Sequence, residues 1–181
     1  MRSLQDAINI PGWMKPAELA WLRALALSMR RGARFFELGA WMGRSTVALA
    51  VDHIKLTCVD TFQGTVGDQA RWVAESRMDL YATFTRNMRL LGLNPRVLKM
   101  DILQAAALVA NGSLDAVFDD SDHDVYFERH FWAWLPKVKH GGVYCGHDYS
   151  WEFPEVIRVL RGSGLQFTVI RGTSIWALIR P

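Results

Sequence analysis

The chain has 181 residues, of which 50% are hydrophobic, and a formal net charge of +3 at pH 7. This size and composition fit one compact domain, residues 1–181, with a substantial apolar core, and argue against two domains. The excess of 21 basic over 18 acidic residues is small and forms no long basic run, so charge alone does not select a nucleic-acid partner.

Cysteine usage and hydropathy indicate a reducing compartment. Cys58 and Cys145 lie in apolar, strand-like stretches, which is typical of buried thiols rather than of a disulfide or a zinc site. The first residues contain no uninterrupted apolar stretch, so a secretory signal is not expected. No window approaches the roughly 18 apolar residues that cross a bilayer. We therefore expect a cytoplasmic protein that is not bound to a membrane.

The predicted elements begin with an N-terminal helical segment, residues 1–32, and then alternate between strands and helices. The apolar spacing predicts a first helix over 16–30. Strands are predicted at 33–38, 55–60, 96–100, 114–118, 143–145, 166–170 and 174–179, and the later helices at 43–51, 80–91, 102–110, 125–138 and 155–161. This order predicts an α/β fold, a Rossmann-like, doubly wound, mostly parallel seven-stranded sheet that ends in a C-terminal antiparallel hairpin.

One segment of the chain, residues 61–79, has little regular period. It contains glycines and aromatic residues, and a short helix over 69–75 is the only element expected in it. Connections this long in a compact domain are usually lids or binding loops. We interpret residues 61–79 as a loop that covers the substrate.

A glycine turn follows the first predicted strand. Residues 36–46 read FELGAWMGRST, and Asp60 follows Gly39 by 60 − 39 = 21 positions, at the end of the next strand. An apolar strand, a glycine turn and an acidic residue about 20 positions later predict a site for a nucleotide or nucleoside. The bulky Trp41 stands where a dinucleotide fold needs glycine beside a pyrophosphate. This favours an adenosine ligand without phosphates, of which S-adenosylmethionine (SAM) is the common example.

Polar residues also follow the other predicted parallel strands. In an open α/β sheet, ligands bind outside the carboxyl ends of the strands. Asp101 and Asp124 could equally be helix caps. The polar residues at these ends are Glu37, Asp60, Asp101, Asp120, His147 and Asp148.

Two groups of motifs resemble a known family. Residues 37–45, ELGAWMGRS, resemble the first motif of class I SAM-dependent methyltransferases, particularly the catechol O-methyltransferase group. Residues 120–126, DSDHDVY, together with 135–136 and 141–149, GGVYCGHDY, resemble a branch that includes macrocin-type sugar O-methyltransferases. The resemblance covers about residues 33–150 and does not identify the acceptor.

The resemblance implies roles for residues around the cofactor. Gly39 and Gly43 would lie under the methionine part of SAM, with Glu37 near its ammonium group. Asp60 would bind the ribose, and Asp101 would face the adenine amino group, which suits a carboxylate acceptor. The implied cofactor-binding set is Glu37, Gly39, Ala40, Trp41, Gly43, Ser45, Asp60, Thr61, Asp101 and Asp120.

The resemblance also implies catalytic and metal-binding residues. Asp120, His147 and Asp148 match positions that bind magnesium in the catechol-type enzymes. An imidazole suits softer metals than Mg²⁺, so either another divalent metal binds or His147 is not a ligand. The alternative is that His147 and Asp148 bind each other at the end of the strand. His123 matches the position of a catalytic lysine and would act as general base beside Asp120, or it is a surface histidine held by neighbouring acids.

The sequence therefore predicts a SAM-dependent methyltransferase that acts on a hydroxyl of a small molecule or sugar, with a divalent metal such as Mg²⁺ as a further implied cofactor. Two alternatives stay open. One is methylation of RNA or DNA, which the basic pI of about 9.1 and the aromatic content suggest but the fourth-strand motif disfavours. The other is a SAM-binding module without turnover. A homodimer is the default expectation for a small enzyme, and nothing in the chain requires it.

Overall fold

The computed structural model describes residues 3–64 and 78–181. Most of the expected cover loop, including the helix expected over 69–75, lies outside these residues. The helices are α1 Leu4–Ile8, α2 Pro16–Ser28, α3 Arg44–Leu49, α4 Leu80–Leu90, α5 Ile102–Ala107, α6 Phe127–Trp134 and α7 Pro154–Gly162. The strands are β1 Arg34–Leu38, β2 Lys55–Asp60, β3 Arg96–Lys99, β4 Leu114–Asp119, β5 Val138–Gly146, β6 Thr168–Val169 and β7 Trp176–Ile179.

The seven strands form one sheet in the order β3-β2-β1-β4-β5-β7-β6. Strands β1 to β5 pair in parallel, whereas β7 is antiparallel to both β5 and β6. The predicted mostly parallel sheet with a C-terminal antiparallel hairpin is therefore confirmed. The strand order reverses between β1 and β4, and a ligand site is expected outside the carboxyl ends of these two strands.

Two apolar clusters cover the two faces of the sheet. Successive side chains of a strand point to opposite faces, so the neighbours Phe35 and Phe36 of β1 belong to different clusters. The Phe35 cluster packs against α1, α2, α3 and α4, and the Phe36 cluster against α5, α6 and α7. Cys58 and Cys145 are free and buried in the sheet, as the sequence predicts.

The fifth strand is longer than the sequence predicts. The helix expected over 125–138 ends at Trp134, a 3₁₀ turn follows at Leu135–Lys137, and β5 begins at Val138 rather than at residue 143. Gly141 and Gly142, which directly precede the predicted strand, lie inside β5, where the register against β4 shifts. A β-carbon at Gly142 would come 2.7 Å from the Val138 side chain, so glycine permits this bulge.

The N-terminal segment also differs from the prediction, because α1 precedes the expected helix. A capping box between Ser3 and Asp6 begins α1, and Ala7 in this helix is fully buried. Within the described residues, no helix is both long and apolar enough to span a membrane.

Candidate functional site

A cavity of about 410 Å³ opens at the carboxyl ends of the parallel strands, the position expected from the strand order. Its volume falls in the usual range of small-molecule sites, about 300–1,000 Å³. The wall comes from the N-terminal segment, the glycine turn and the strand ends. From the predicted site it includes Gly39, Ala40, Trp41, Ser45, Asp60, Thr61, Asp101, Asp120, His123, His147 and Asp148.

The glycine turn after β1 approaches the end of β4 closely. Gly39 has φ +82°, and a β-carbon there would overlap the backbone carbonyl of Asp120. Gly43 has φ +96° and faces Phe84 and Met88 of α4 instead of the cavity. Gly39 thus allows the turn to lie against the end of β4, while Gly43, at the start of α3, packs against α4.

Asp60 holds this turn in place. Its Oδ2 accepts hydrogen bonds from the backbone N–H groups of Ala40 and Trp41, both at 2.8 Å, and its Oδ1 accepts one from Phe62 N–H at 2.6 Å. Burial raises the pKa of Asp60, and these backbone bonds oppose the rise. A carboxylate has about four acceptor positions, so about one remains for a ligand in the cavity.

Strained backbone is concentrated around this turn and the end of β5. The described residues other than glycine with positive φ are Trp41 at +49°, Phe62 at +57° and Asp148 at +62°. Phe62 donates its N–H to Asp60, and the other two line the cavity. Such strain persists only where the surroundings fix it, and it is typical of functional sites.

Glu37 lies behind the wall. It is fully buried, and its Oε2 accepts hydrogen bonds from Thr46 Oγ1 at 2.6 Å and from Cys58 Sγ at 3.1 Å. Its Oε1 has no partner among the described residues. Burial raises the pKa of Glu37 to about 7, against hydrogen bonds from Ser45, Thr46 and Cys58. Glu37 and Gly43 are the members of the expected cofactor set that do not reach the cavity wall.

Asp101 serves as a helix cap and also lines the cavity. Its Oδ1 accepts hydrogen bonds from the N–H groups of Leu103 at 2.9 Å and Gln104 at 3.0 Å, at the start of α5. Both bonds use the same oxygen. The two interpretations of Asp101 that the sequence leaves open are therefore compatible with each other.

His147 lies at the centre of a buried cluster at the end of β5. Its Nδ1 is 2.9 Å from Asp148 Oδ1 and 3.4 Å from Asp120 Oδ1. Its Nε2 is 2.9 Å from Ser174 Oγ and 3.2 Å from Glu18 Oε2. Although burial alone would lower it, the carboxylates of Asp120, Asp148 and Glu18 raise the pKa of His147 to about 12.

His123 joins the same cluster from the β4 side. Its Nδ1 is 2.9 Å from Asp148 Oδ2, and its ring packs on Phe153 with the centroids 4.7 Å apart. The His123 side chain is 18% exposed, and its ion pair is with Asp148, whereas the alternative interpretation places it at the surface, held by neighbouring acids. Burial would lower the pKa of His123, but Asp148, Asp120 and Asp122 raise it.

The pKa values of the two aspartates in this cluster, Asp120 and Asp148, shift in opposite directions. Burial raises the pKa of Asp120, although His147 opposes the rise. Burial also disfavours ionised Asp148, yet its bonds to His123 and His147 hold the pKa of this carboxyl well below its usual range. Asp148 is therefore the firmly ionised partner of both histidines.

The potential metal ligands differ from the expected set. Among residues 3–64 and 78–181, the group whose ligand atoms converge is Asp120, His123 and Asp148, with these atoms within 4.8 Å of one another. His147 is not in this group, although its Nδ1 is 2.9 Å from Asp148 Oδ1 and 3.4 Å from Asp120 Oδ1. The contact between His147 and Asp148 is the one that the alternative interpretation predicts.

Two residues at the site escaped the sequence analysis. Glu18 is 1% exposed and reaches His147 from α2, and its only sequence signal is its place in the first turn of a helix. His130 of α6 lines the cavity, is 7% exposed, and its Nδ1 has no partner within the described residues. In the sequence it is one polar residue within an aromatic helix.

The N-terminal segment supplies another part of the wall, through Gly12, Trp13 and Met14. Arg44 holds this segment, since its Nε donates to Met14 O at 2.9 Å. The Trp13 ring packs on Trp41 with the centroids 5.2 Å apart, and Trp13 is 64% exposed. Two indoles therefore border the mouth of the cavity.

Comparisons with known proteins match the chain to one family and one fold. A family model described as a methyltransferase domain matches residues 36–149. No curated protein matches the chain in a sequence comparison. The family match spans the glycine turn, Asp60 and the residues Asp120, His123, His147 and Asp148, but not Glu18 or Ser174.

Solved structures share the fold at low sequence identity. A proposed caffeoyl-CoA O-methyltransferase from Staphylococcus aureus has a TM-score of 0.69 and 14% identity, over 100% of this chain and 93% of its own. A proposed O-methyltransferase from Klebsiella pneumoniae has a TM-score of 0.65 and 16% identity, over 98% and 86%. An rRNA methylase from Streptococcus thermophilus has a TM-score of 0.63 and 15% identity, over 94% and 99%. These likenesses establish the fold alone.

Proposed function

The chain belongs to the methyltransferase-domain family and is a SAM-dependent methyltransferase, and from that premise we propose that it methylates a hydroxyl group of a small molecule or sugar. The observation that carries the proposal is the pair of His123 and Asp148, whose Nδ1 and Oδ2 are 2.9 Å apart in the wall of the cavity. A histidine held through one nitrogen by a carboxylate is suited to accept a proton at the other nitrogen.

We propose that the glycine turn and the strand ends hold SAM. The cavity volume of about 410 Å³ and its acidic wall support this assignment, because SAM carries an ammonium and a sulfonium charge. Asp60 has about one acceptor position left for a ribose hydroxyl, and Asp101 has an oxygen not used in capping for the adenine amino group. When bound, SAM supplies an electrophilic methyl group.

His123 acts as the general base in this proposal. Nε2 of His123 accepts the proton of the acceptor hydroxyl while the hydroxyl oxygen takes up the methyl group. Asp148 fixes the ring by accepting the Nδ1 proton, so that Nε2 is the basic nitrogen. Orientation and exclusion of water by the cavity wall contribute the rest of the rate.

A divalent metal ion at Asp120, His123 and Asp148 would compete with the hydrogen bonds that these side chains make in the folded protein. Metal ligands must present lone pairs free of protons. Asp148 already uses Oδ1 toward His147 and Oδ2 toward His123, and Asp120 Oδ1 also faces His147. We therefore derive no step through the metal that the resemblance implies.

Replacement of His123 by glutamine tests the proposal. We expect turnover to fall about 10²- to 10⁴-fold, the usual contribution of a general base, while the affinity for SAM stays within a factor of a few. Methyl transfer to a panel of hydroxyl compounds and calorimetry with S-adenosylhomocysteine measure the two quantities. Arg158→Lys, in an exposed ion pair with Glu128, is the control. Equal turnover in wild type and His123→Gln would exclude His123 as the base.

A further inference from the structure

We propose that His130 of α6 binds the adenine ring of SAM and donates a hydrogen bond to one of its ring nitrogens. The inference rests on the proposed function, because it extends the SAM site assigned there. In that site Asp101 accepts a hydrogen bond from the adenine amino group. His130 supplies the group that a carboxylate lacks, an N–H donor.

His130 is a buried polar side chain whose ring makes no hydrogen bond within the described residues. It is 7% exposed and lines the cavity, and its Nδ1 is buried without a partner. Asp122 is near enough for an electrostatic interaction, but its Oδ1 accepts the N–H of Asp124 and no hydrogen bond joins it to the ring. Buried polar groups are hydrogen-bonded in nearly all cases, so an unpartnered imidazole in a cavity wall indicates a ligand.

The imidazole of His130 presents Nε2 to the cavity. Because the protein covers Nδ1, Nε2 is the ring nitrogen that a ligand in the cavity can reach. Among the described residues no acceptor at Nδ1 holds the ring proton there, so Nε2 can carry the proton and donate it in a hydrogen bond.

His130 lies at the Asp101 end of the cavity. Asp101 and Ile102 stand at the start of α5 and both line the cavity, and α5 packs against α6. Ile102 belongs to the same apolar cluster as Phe127, one turn before His130, and Phe131, the residue after it. The packing of α6 on α5 therefore places the imidazole on the side of the cavity to which the adenine amino group is assigned.

An acceptor and a donor side by side match the edge of adenine. The amino group of adenine donates, and its ring nitrogens accept. Asp101 has one oxygen that is not used in capping α5 and suits the amino group, whereas a ring nitrogen needs an N–H such as that of His130. Guanine would place its O6, an acceptor, against the Asp101 carboxylate. The pair of side chains therefore selects adenine.

Calorimetry with S-adenosylhomocysteine and its 1-deaza, 3-deaza and 7-deaza analogues tests the contact, because each analogue replaces one ring nitrogen by C–H. In the wild type, we expect the analogue that lacks the contacted nitrogen to bind about 3- to 10-fold more weakly than S-adenosylhomocysteine, the usual net effect of one neutral hydrogen bond. In His130→Phe, S-adenosylhomocysteine should lose a similar factor, and this analogue should bind as tightly as S-adenosylhomocysteine does. His130→Gln keeps a donor and should restore part of both differences.

His140→Phe, which replaces an exposed histidine of β5, is the matched control and should bind all four ligands like the wild type. Equal affinity of the wild type and His130→Phe for S-adenosylhomocysteine would overturn the proposal. A loss in His130→Phe that persists with all three analogues would also overturn it, since it would reflect packing alone. If His130→Phe does not fold, the wild type decides, and equal affinity for all four ligands would overturn the proposal. The measurement contains no acceptor, so a failure of the proposed hydroxyl methylation is detected separately.

Discussion

Two histidines lie within one hydrogen-bonded cluster but have different chemical roles. His147 has carboxylate oxygens near both ring nitrogens, whereas the carboxylate that contacts His123 lies at Nδ1. Asp148 lies between them and bonds each histidine with a different oxygen. Under the proposed function, the proton that moves during methyl transfer is accepted by His123.

The pH dependence of turnover should follow His123. Its pKa is raised, so the base form appears only as the pH rises through that value, and kcat/KM should increase with pH across this limb. Asp148→Asn removes the charge that raises the pKa of His123. We expect the limb to move to lower pH and the plateau to fall. A pH profile with an unchanged limb in Asp148→Asn would show that another group titrates.

Glu37 should make the stability of the ligand-free protein depend on pH. Its pKa in the folded protein is about 7, above the ordinary value of 4.5, so the folded state binds more protons between these values. The free energy of unfolding therefore decreases as the pH rises through this window. Glu37→Gln removes this contribution. We expect the Tm of the wild type to fall relative to that of Glu37→Gln from about pH 5 to about pH 8, measured by calorimetry. A difference in Tm between the two proteins that does not change with pH would contradict the raised pKa of Glu37.

At the scale of elements, the site depends on how the N-terminal segment is held against α3. Arg44 is a residue of α3, and its guanidinium donates to the carbonyls of Ile8 at 2.7 Å, Ile10 at 2.6 Å and Met14 at 2.9 Å. These bonds bring the cavity-lining stretch Gly12 to Met14 over the glycine turn. A lysine cannot reproduce the fork of donors.

Arg44→Lys should loosen this wall of the cavity. We expect faster hydrogen exchange at the backbone amides of residues 8–14 and a higher KM for SAM, with little change in kcat because the His123 pair is untouched. Hydrogen exchange by mass spectrometry and steady-state kinetics measure these effects. Arg158→Lys, which changes an exposed ion pair away from the cavity, is the matched control. Unchanged exchange in residues 8–14 would remove Arg44 from this role.

Individual elements show where sequence reasoning succeeds and where it stops. The strand at Lys55–Asp60 matches the prediction because a continuous apolar run ends at a polar residue. Strand β5 was predicted too short, because glycines in a bulge look like glycines in a turn. Glu18 could not be found, since its role depends on a contact with His147, far along the chain.

At the scale of the whole molecule, the sheet determines where the chemistry lies. The strand order reverses between β1 and β4, and their carboxyl ends bring the glycine turn against the Asp120 backbone. For this reason the polar strand ends identified in the sequence line one cavity, except for Glu37, which is buried behind the cavity wall. The hydrogen bonds that each of these side chains makes determine whether it can act as a metal ligand or is held in an ion pair. These bonds depend on side-chain geometry that local sequence patterns do not show.

The most direct test of the proposed function is methyl transfer from SAM with a carbon-13 methyl group to a hydroxyl compound, with the product analysed by NMR. We expect a methoxy carbon signal that forms at a lower rate in His123→Gln than in the wild type. A product with its methyl group on nitrogen or carbon, or an equal rate in His123→Gln, would contradict the proposal.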